Sequence, residues 1–524
     1  MRYQYEEFPY VTPAALAEGR AEDRCAVAIV GAGPVGLALA IDLALRGQPS
    51  VLLDDNNVVS VGSRAICWSK RTLEIFDRLG VGQRMLDKGV TWKVGRLYEG
   101  EEEVFAFDLL PEDGHRMPAF VNLQQYYVEQ YLVERARDFP DLIDLRFRNE
   151  VTGIEPHADG AVLAVRTPDG PYRLHADWTV ACDGVRSPIR TMLGLPFEGV
   201  GFEERFLIAD IEMTADYPSD RRYWFRPPFH PEHSVLMHKQ PDDIWRIDWQ
   251  LGRDADPEAE RDEARIRERV ARVVGGRPFK LDWVSIYAFQ CRRMPHFVQG
   301  RTIFAGDSAH VVSPFGARGG NGGVQDADNL AWKLASVIRG EAPEGLIASY
   351  DAERTAAADE NILNSTRATN FISPKAGTER VYRDAVLALA RRAPFARRMV
   401  NTGRLSTPKW LDESPLNGPD ASLPHATRPG APCADAPLAE GWLLGALGEG
   451  FVLMSLGAAA GAELPGAAPL SIPEPGPHLR ARYLGEEPGA VYLIRPDQHV
   501  AARWTDWDAG QGARALARCL GRAA

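Results

Sequence analysis

Three groups of residues could do chemistry by their type and spacing. Gly31, Gly33 and Gly36, with Pro34 between them, form a G-x-G-x-x-G pattern, and Asp54 follows. Such glycines let backbone approach a pyrophosphate, and a carboxylate about 20 residues on accepts hydrogen bonds from a ribose diol. An acid there favours a free 2′-hydroxyl, so the group suits the adenosine diphosphate half of either FAD or NAD. The second group is Gly306-Asp307 and the loop Pro314 to Asn321, within RTIFAGDSAHVVSPFGARGGNGGVQDADNLAWKL. That loop feeds a helix, whose start carries partial positive charge and free N–H groups. It suits an electron-rich heterocycle that becomes anionic on reduction, as the N1/C2=O edge of a flavin does. The third group is Asp183-Gly184 in WTVACDGVRSPIR, with Ser187 near a helix start; taken singly, such a pair is only a turn.

These groups need elements to hold them. Val27 to Val30 reads as a short buried strand, Leu37, Ala40, Ile41, Ala44 and Leu45 recur at helical spacing, and Val51 to Leu53 is a second strand ending at Asp54. The uncharged run Cys25 to Ile41 falls short of the ~20 residues of a membrane span, and Asp42 and Arg46 follow at once. Thr302 to Ala305 is a strand leading to Gly306-Asp307, and Val324, Ala327, Ala331, Leu334 and Ile338 stripe the helix after the loop. Between them, Arg71 to Leu86 is helical with a break at Gly80, Val94 to Leu110 reads as strands, and Leu123 to Ala136 is an amphipathic helix with Val128, Leu132 and Val133 on one side. Phe206 to Phe289 is β-rich and aromatic with one charged helix near Asp256 to Val274, a second layer. Helices run to about Asn401, and the Pro/Gly/Ala-rich stretch Ser406 to Pro437 reads as a linker into a last domain.

The chain of 524 residues suffices for two or three domains, and 45% hydrophobic with 25% charged is ordinary for a globular protein. A formal charge of −12 argues against a nucleic-acid partner or an anionic membrane surface, which leaves a small-molecule ligand. The six cysteines, Cys25, Cys67, Cys182, Cys291, Cys433 and Cys519, make no C-x-x-C pair and no metal-like cluster. They read as reduced and structural, in a cytoplasmic protein without a metal. Residues 1–24 are acidic and lack an apolar core, so they read as a short extension and not as a signal peptide.

GAGPVG near the start, DGVRSPIR in the middle and GDSAH with its later proline and glycines together resemble the FAD-dependent aromatic hydroxylases of the p-hydroxybenzoate hydroxylase type, over roughly Cys25 to Asp412. The resemblance implies an α/β fold, α+β overall: a Rossmann-like FAD-binding monooxygenase domain over 25–412, with a substrate-binding β-sheet layer at about 94–119 and 206–289 inserted in it. Within it Asp54 would hold the adenosine ribose, Arg64 in GSRAI and Gln125 in LQQYY would lie along FAD, and Asp183 would lie near FAD and nicotinamide. Asp307 would bind the ribityl chain, and the loop with Pro314, Gly319, Gly320 and Asn321 would face the isoalloxazine, the Pro314 carbonyl beside the ring being hydroxylated. The implied reaction uses NADPH or NADH to reduce FAD and O₂ to form a C4a-hydroperoxide, whose distal oxygen an activated phenol attacks. The protein would orient the ring, exclude water and help ionise the phenol.

Arg246, in DIWRIDWQL, matches the family's arginine that attends the moving flavin; read from the residues alone it is a strand arginine on a solvated face. His238, Gln240 and Asp248 fall on alternate residues of neighbouring strands and could line a substrate pocket, although a satisfied histidine and an aspartate paired with an arginine fit equally. Enzymes that bind p-hydroxybenzoate hold its carboxylate with an arginine where this chain has Gln240, which favours a larger or less acidic phenol. Tyr223 and Phe225, with Trp224, Trp245 and Trp249, could stack on such a ring or form plain core. Residues 421–524 resemble the thioredoxin-like tail of the phenol hydroxylase branch. Without C-x-x-C they cannot exchange dithiols, so they read as a packing or dimer-supporting module that leaves a homodimer open. An epoxidase or oxidase on the same scaffold, or a non-catalytic flavin-binding protein, stands as the alternative.

Overall fold

The computed structural model describes residues 3–522 except 253, 376, 401–404 and 406, and the backbone alone of residue 203. Asn401 and Ser406, expected to bound the linker, lie outside the described residues. Strand Glu22–Val30 sits inside an eight-stranded sheet, parallel to Gly170–Ala181 on one side and to Ser50–Leu53 on the other. Ile143–Arg146 and Thr302–Phe304 extend the parallel set outward. Parallel strands covered on both faces are continuous apolar runs, as AVAIV and SVLL are. The helix after the glycines, Pro34–Leu45, is buried from Gly36 to Ala44. The stripe read from the sequence is therefore part of a helix covered all round, because helices Gly319–Ile338 and Gln125–Ala136 pack against it.

A second eight-stranded sheet runs in the order His310–Val311, Lys280–Arg293, Glu198–Glu212, Ile244–Leu251, Ser234–Lys239, Arg221–Phe225, Val94–Glu99, Glu102–Asp108. Strand alternation divides its aromatic residues between two faces. Trp245 and Trp249 pack with Ile266, Val270 and Val274 on the outer face, whereas Tyr223 and Phe225 join Phe206, Phe315 and Phe371 on the inner one. The charged helix is two pieces, Pro257–Glu260 and Glu263–Val273, because Asp262 accepts the Arg265 N–H at 2.9 Å and caps a new start.

The C-terminal unit is a mixed four-stranded sheet, Ala468–Ile472, Val452–Gly457, Gly489–Ile494 and Val500–Trp504, covered by helix Ala509–Cys519. Burial pushes the thiols of Cys433 and Cys519 up to about 12, so neither is a ready thiolate. The stretch before it is irregular yet packed: Leu411 and Leu416 are buried, and Ser414 donates to Glu353. Glu353 also accepts from Lys333 at 2.6 Å and from Arg495 at 2.7 and 3.0 Å, all fully buried. Among the described residues no helix is long and apolar enough to cross a membrane, and no His/Cys/Asp/Glu cluster could hold a metal ion.

Candidate active site

The first turn after strand Glu22–Val30 is built so that only glycine fits. Gly31 has φ +106°, and a Cβ there would lie 2.5 Å from the Cys182 carbonyl oxygen; one at Gly36 would lie 2.0 Å from the Gly31 oxygen. Gly33 differs: a Cβ there would meet nothing within 4 Å, because the residue opens onto a cavity of about 940 Å³. Gly33 precedes the helix and Pro34 is its first residue, so the free N–H groups of that helix start at the cavity wall. Asp54 stands beside them, accepting the Ala32 N–H at 2.6 Å and the Asn56 N–H at 2.8 Å. Burial pushes its carboxyl up to about 6, against the pull of those two bonds.

The cavity runs from this turn past Asp183 and Asp307 to the loop at 314–321 and the inner face of the second sheet. Asp183 accepts the Ile189 N–H at 3.0 Å and so fixes the start of helix Pro188–Met192. Asp307 is exposed to the cavity, and its carboxylate has no hydrogen-bond partner among the described residues. Gln125 ties the loop at 60–65 to its helix, accepting the Ala65 N–H at 3.2 Å and donating to Glu129 at 2.8 Å. Arg64, exposed and with φ +41°, lies in that same loop.

Helix Gly319–Ile338 begins against the cavity. Asn321 pins this start to strand Cys67–Ser69, accepting the Ser69 N–H at 2.9 Å and donating to the Cys67 carbonyl at 2.8 Å. A Cβ on Gly320 would touch Trp68 at 3.5 Å. The Pro314 carbonyl accepts the Ala317 N–H at 3.0 Å, which closes the turn of the loop.

On the second sheet the side chains fall into lateral rows. Asp210 lies opposite Arg246, and Arg246 opposite His238; Ile208, Asp248 and Leu236 form the next row. Arg246 is buried, not on a solvated face. It donates to Asp248 at 2.9 Å and to the Arg64 carbonyl at 2.7 Å, so it joins the sheet to the loop at 60–65. His238 is buried with Nδ1 unpartnered among the described residues. Burial and the charges of Arg221 and Arg246 push it far below the ordinary histidine value, so it is a neutral imidazole and a poor base.

Most of the residues singled out in the sequence meet on this one wall: Gly31, Gly33, Pro34, Asp54, Arg64, Gln125, Asp183, Asp307, Pro314, Gly319, Gly320 and Asn321 on one side, with His238, Arg246 and Asp248 on the sheet. Gly36 lies behind it, serving helix packing. Gln240 is off the wall, fully buried and donating to Asp210 at 3.2 Å, because the strand ends at Lys239 and the chain turns at Pro241. Tyr223 and Phe225 line a separate chamber of about 70 Å³ that shares Arg221, Phe315 and Arg318 with the main cavity.

Sequence reasoning missed four residues. Asp326 accepts the Gly306 N–H at 2.9 Å, His310 Nε2 at 2.7 Å and Arg354 Nε at 2.6 Å, and so holds the turn that presents Asp307. Glu129 accepts the Ser60 N–H at 2.5 Å. Asp210 backs Arg246, burial pushing its carboxyl up to about 6. Arg221 sits where the two cavities meet. The available signal was an acid or arginine at an apolar position of the period, as in QDADNLAW and RRYWF.

Residues 24–365 match the family model described as FAD binding domain. A flavin-dependent monooxygenase of Mycobacteroides abscessus is 34% identical over 63% of this chain and 70% of its own length. A 3-(3-hydroxy-phenyl)propionate/3-hydroxycinnamic acid hydroxylase of Mycolicibacterium smegmatis is 29% identical over 71% of this chain and 66% of its own. In fold, the flavin-dependent monooxygenase PieE, solved with FAD and substrate, superposes with a TM-score of 0.78 at 22% identity, over 95% of this chain and 99% of that one.

Proposed function

The chain belongs to the FAD-binding family of flavin-dependent monooxygenases, and from that premise we propose that it is an NAD(P)H- and O₂-dependent hydroxylase of phenolic aromatic compounds. The observation that carries the reading is continuity: a single cavity joins the nucleotide cradle at Gly31–Asp54 to the polar rows of the second sheet by way of loop 314–321.

The residues present fit FAD. Gly33 leaves open space where a pyrophosphate would approach, Asp54 stands beside the helix start, and Asp307 offers a carboxylate that accepts no hydrogen bond among the described residues. Bound there, FAD would supply electron transfer from NAD(P)H to O₂ and the delivery of one oxygen atom to the ring. Gly33 and Pro34 would hold the diphosphate, Asp54 the ribose hydroxyls and Asp307 the ribityl hydroxyls. The start of helix Gly319–Ile338 favours negative charge on the group it faces. Arg246 braces the loop at Arg64 against the sheet, and Asp248 keeps its guanidinium oriented. His238, neutral, can hold the phenolic hydroxyl by a hydrogen bond without taking its proton. Loop 314–321 on one side and the sheet on the other exclude water from the ring. The six cysteines are free thiols, which supports the reducing cytoplasm as its compartment.

The test is a screen of hydroxylated aromatics for stimulated NADH or NADPH oxidation by the purified yellow protein, with product mass rising by one oxygen from ¹⁸O₂. A protein that binds FAD but inserts labelled oxygen into none of them is not a hydroxylase of this class.

A further inference from the structure

Arg221 opens strand Arg221–Phe225, whose alternation turns Arg221, Tyr223 and Phe225 to the inner face of the sheet. It is 9% exposed, and the surface it keeps belongs to the main cavity and to the small chamber, whose boundary it forms with Phe315 and Arg318. Among the described residues it makes no hydrogen bond and no ion pair. Asp248, whose charge reaches it, is already bonded to Arg246 at 2.9 Å, and Asp210 lies beyond Arg246 in its row. Arginine stays charged in a protein, and a guanidinium taken from water without a carboxylate is strongly unfavourable unless a ligand completes it.

The surroundings limit what that ligand can be. The next step of the strand ladder sets Arg221 beside His238, whose Nδ1 is also buried and unpartnered. A planar fork of donors matches the two oxygens of a carboxylate. The chamber beyond, about 70 Å³ and lined by Leu97, Phe107, Phe371 and Ile372, is too small for an aromatic ring, since a cavity of about 150 Å³ is what admits benzene. The ring would thus remain in the main cavity, with its anionic substituent at the boundary. Gln240 alone favours a less acidic substrate, but it is off the wall, and Arg221 brings a guanidinium to the pocket from a different strand.

We infer that Arg221 is the specificity-determining residue of the aromatic pocket and that it selects substrates bearing a carboxylate on or near the ring; this rests on the hydroxylase reading above. The experiment titrates the FAD-loaded enzyme with hydroxybenzoates, hydroxyphenylacetates and hydroxyphenylpropionates and with the primary amide of each, following the visible flavin difference spectrum. At least one acid is expected to bind about tenfold tighter than its amide, the low end for a hydrogen bond to a charged group. In Arg221→Met that ratio falls to near one, and Arg221→Lys restores part of it. If Arg221→Met fails to hold FAD, Arg221→Gln and Arg221→Lys are read by the same ratio. The inference is overturned if the wild type prefers no acid over its amide, if the preference survives the loss of the guanidinium, or if acid and amide weaken together, which would place Arg221 at the phenol oxygen instead. Binding is read without turnover, so failure of this inference is distinct from failure of the hydroxylase reading, which is judged by oxygen insertion into acids, amides and neutral phenols alike.

Discussion

Replacing Asp326 by asparagine tests whether the carboxylate that faces the cofactor side is held in place by a group that never meets the cofactor. Asp326 is fully buried; burial alone would raise its carboxyl, but His310 and Arg354 more than offset this and hold it below the ordinary value. One oxygen takes the Gly306 N–H and His310 Nε2, the other takes Arg354 Nε. An asparagine in the same place must point its NH₂ at one of these donors. Turned toward Arg354, it opposes a guanidinium; turned toward the loop, it lets His310 switch tautomer but strands the Gly306 N–H. Either way one buried donor is orphaned, at about 1–3 kcal/mol. The lost charge leaves Arg354 uncompensated, and breaking a buried pair costs about 3–5 kcal/mol. We expect at least about 3 kcal/mol off the stability of the apo protein in denaturant melts, and FAD bound roughly tenfold more weakly as the turn at Asp307 loosens. Asp307→Asn, which keeps the turn and removes the acceptor charge, sets the benchmark for a direct loss. If Asp326→Asn lowers stability yet leaves the FAD dissociation constant unchanged while Asp307→Asn raises it, the network supports the fold and does not position the site.

Three further outcomes are expected. Asp54 has its carboxyl pushed up to about 6, and a ribose diol favours the ionised form, so a proton competes with FAD: affinity should be level above about pH 7, fall by up to tenfold per unit below pH 6, and lose this dependence in Asp54→Asn, as fluorescence titration would report. Arg246→Lys should retain FAD but slow anaerobic reduction by NAD(P)H in stopped flow, because lysine keeps the charge and cannot reach Asp248 and the Arg64 carbonyl together; a wild-type rate would remove Arg246 from any flavin role. Arg495→Met should cost about 3–5 kcal/mol at pH 7.5, since it strands Glu353 and Asp497. Although burial opposes it, Arg495 and Lys333 hold the Glu353 carboxyl well below its ordinary value; the stability it contributes is full above the ordinary glutamate range and is lost as pH falls below it, so the gap between wild type and variant should narrow on acidification.

The nucleotide cradle was legible because its physics is local. Strand, glycines, helix, strand and Asp54 lie within one short stretch, and Gly36 answers to Gly31 inside the motif, although the Cys182 carbonyl that holds Gly31 to glycine comes from a distant strand end. The pocket was less legible because it is set by register between strands distant in sequence. Period-2 alternation alone puts Trp245 with Trp249 and Tyr223 with Phe225, but which of the two pairs looks inward depends on the partner strands. Gln240 had the right parity and failed only because the strand stops at Lys239. Asp326 hides inside a helix that is buried from Asn321 to Val337 with few breaks, where an acid reads as an exposed position until its three donors are seen.

The same logic explains why the C-terminal unit is bound up with the site although it contributes no residue to the cavity wall. Asp497 accepts from Arg71 through its carbonyl at 2.7 Å, and Arg71 in turn pairs with Asp328 at 3.0 Å on the helix that begins at the cavity-lining loop 314–321. Arg71 also follows closely on Ser69, the residue to which Asn321 fastens that loop. Arg78, one helical stretch further on, pairs with Asp42 and Asp328 at 2.7 Å each, joining the glycine-turn helix to the loop helix. Buried charges of this kind stabilise little in total but are costly to separate. They fix one relative placement of the two helices whose starts line the cavity, and the C-terminal unit closes that arrangement from behind.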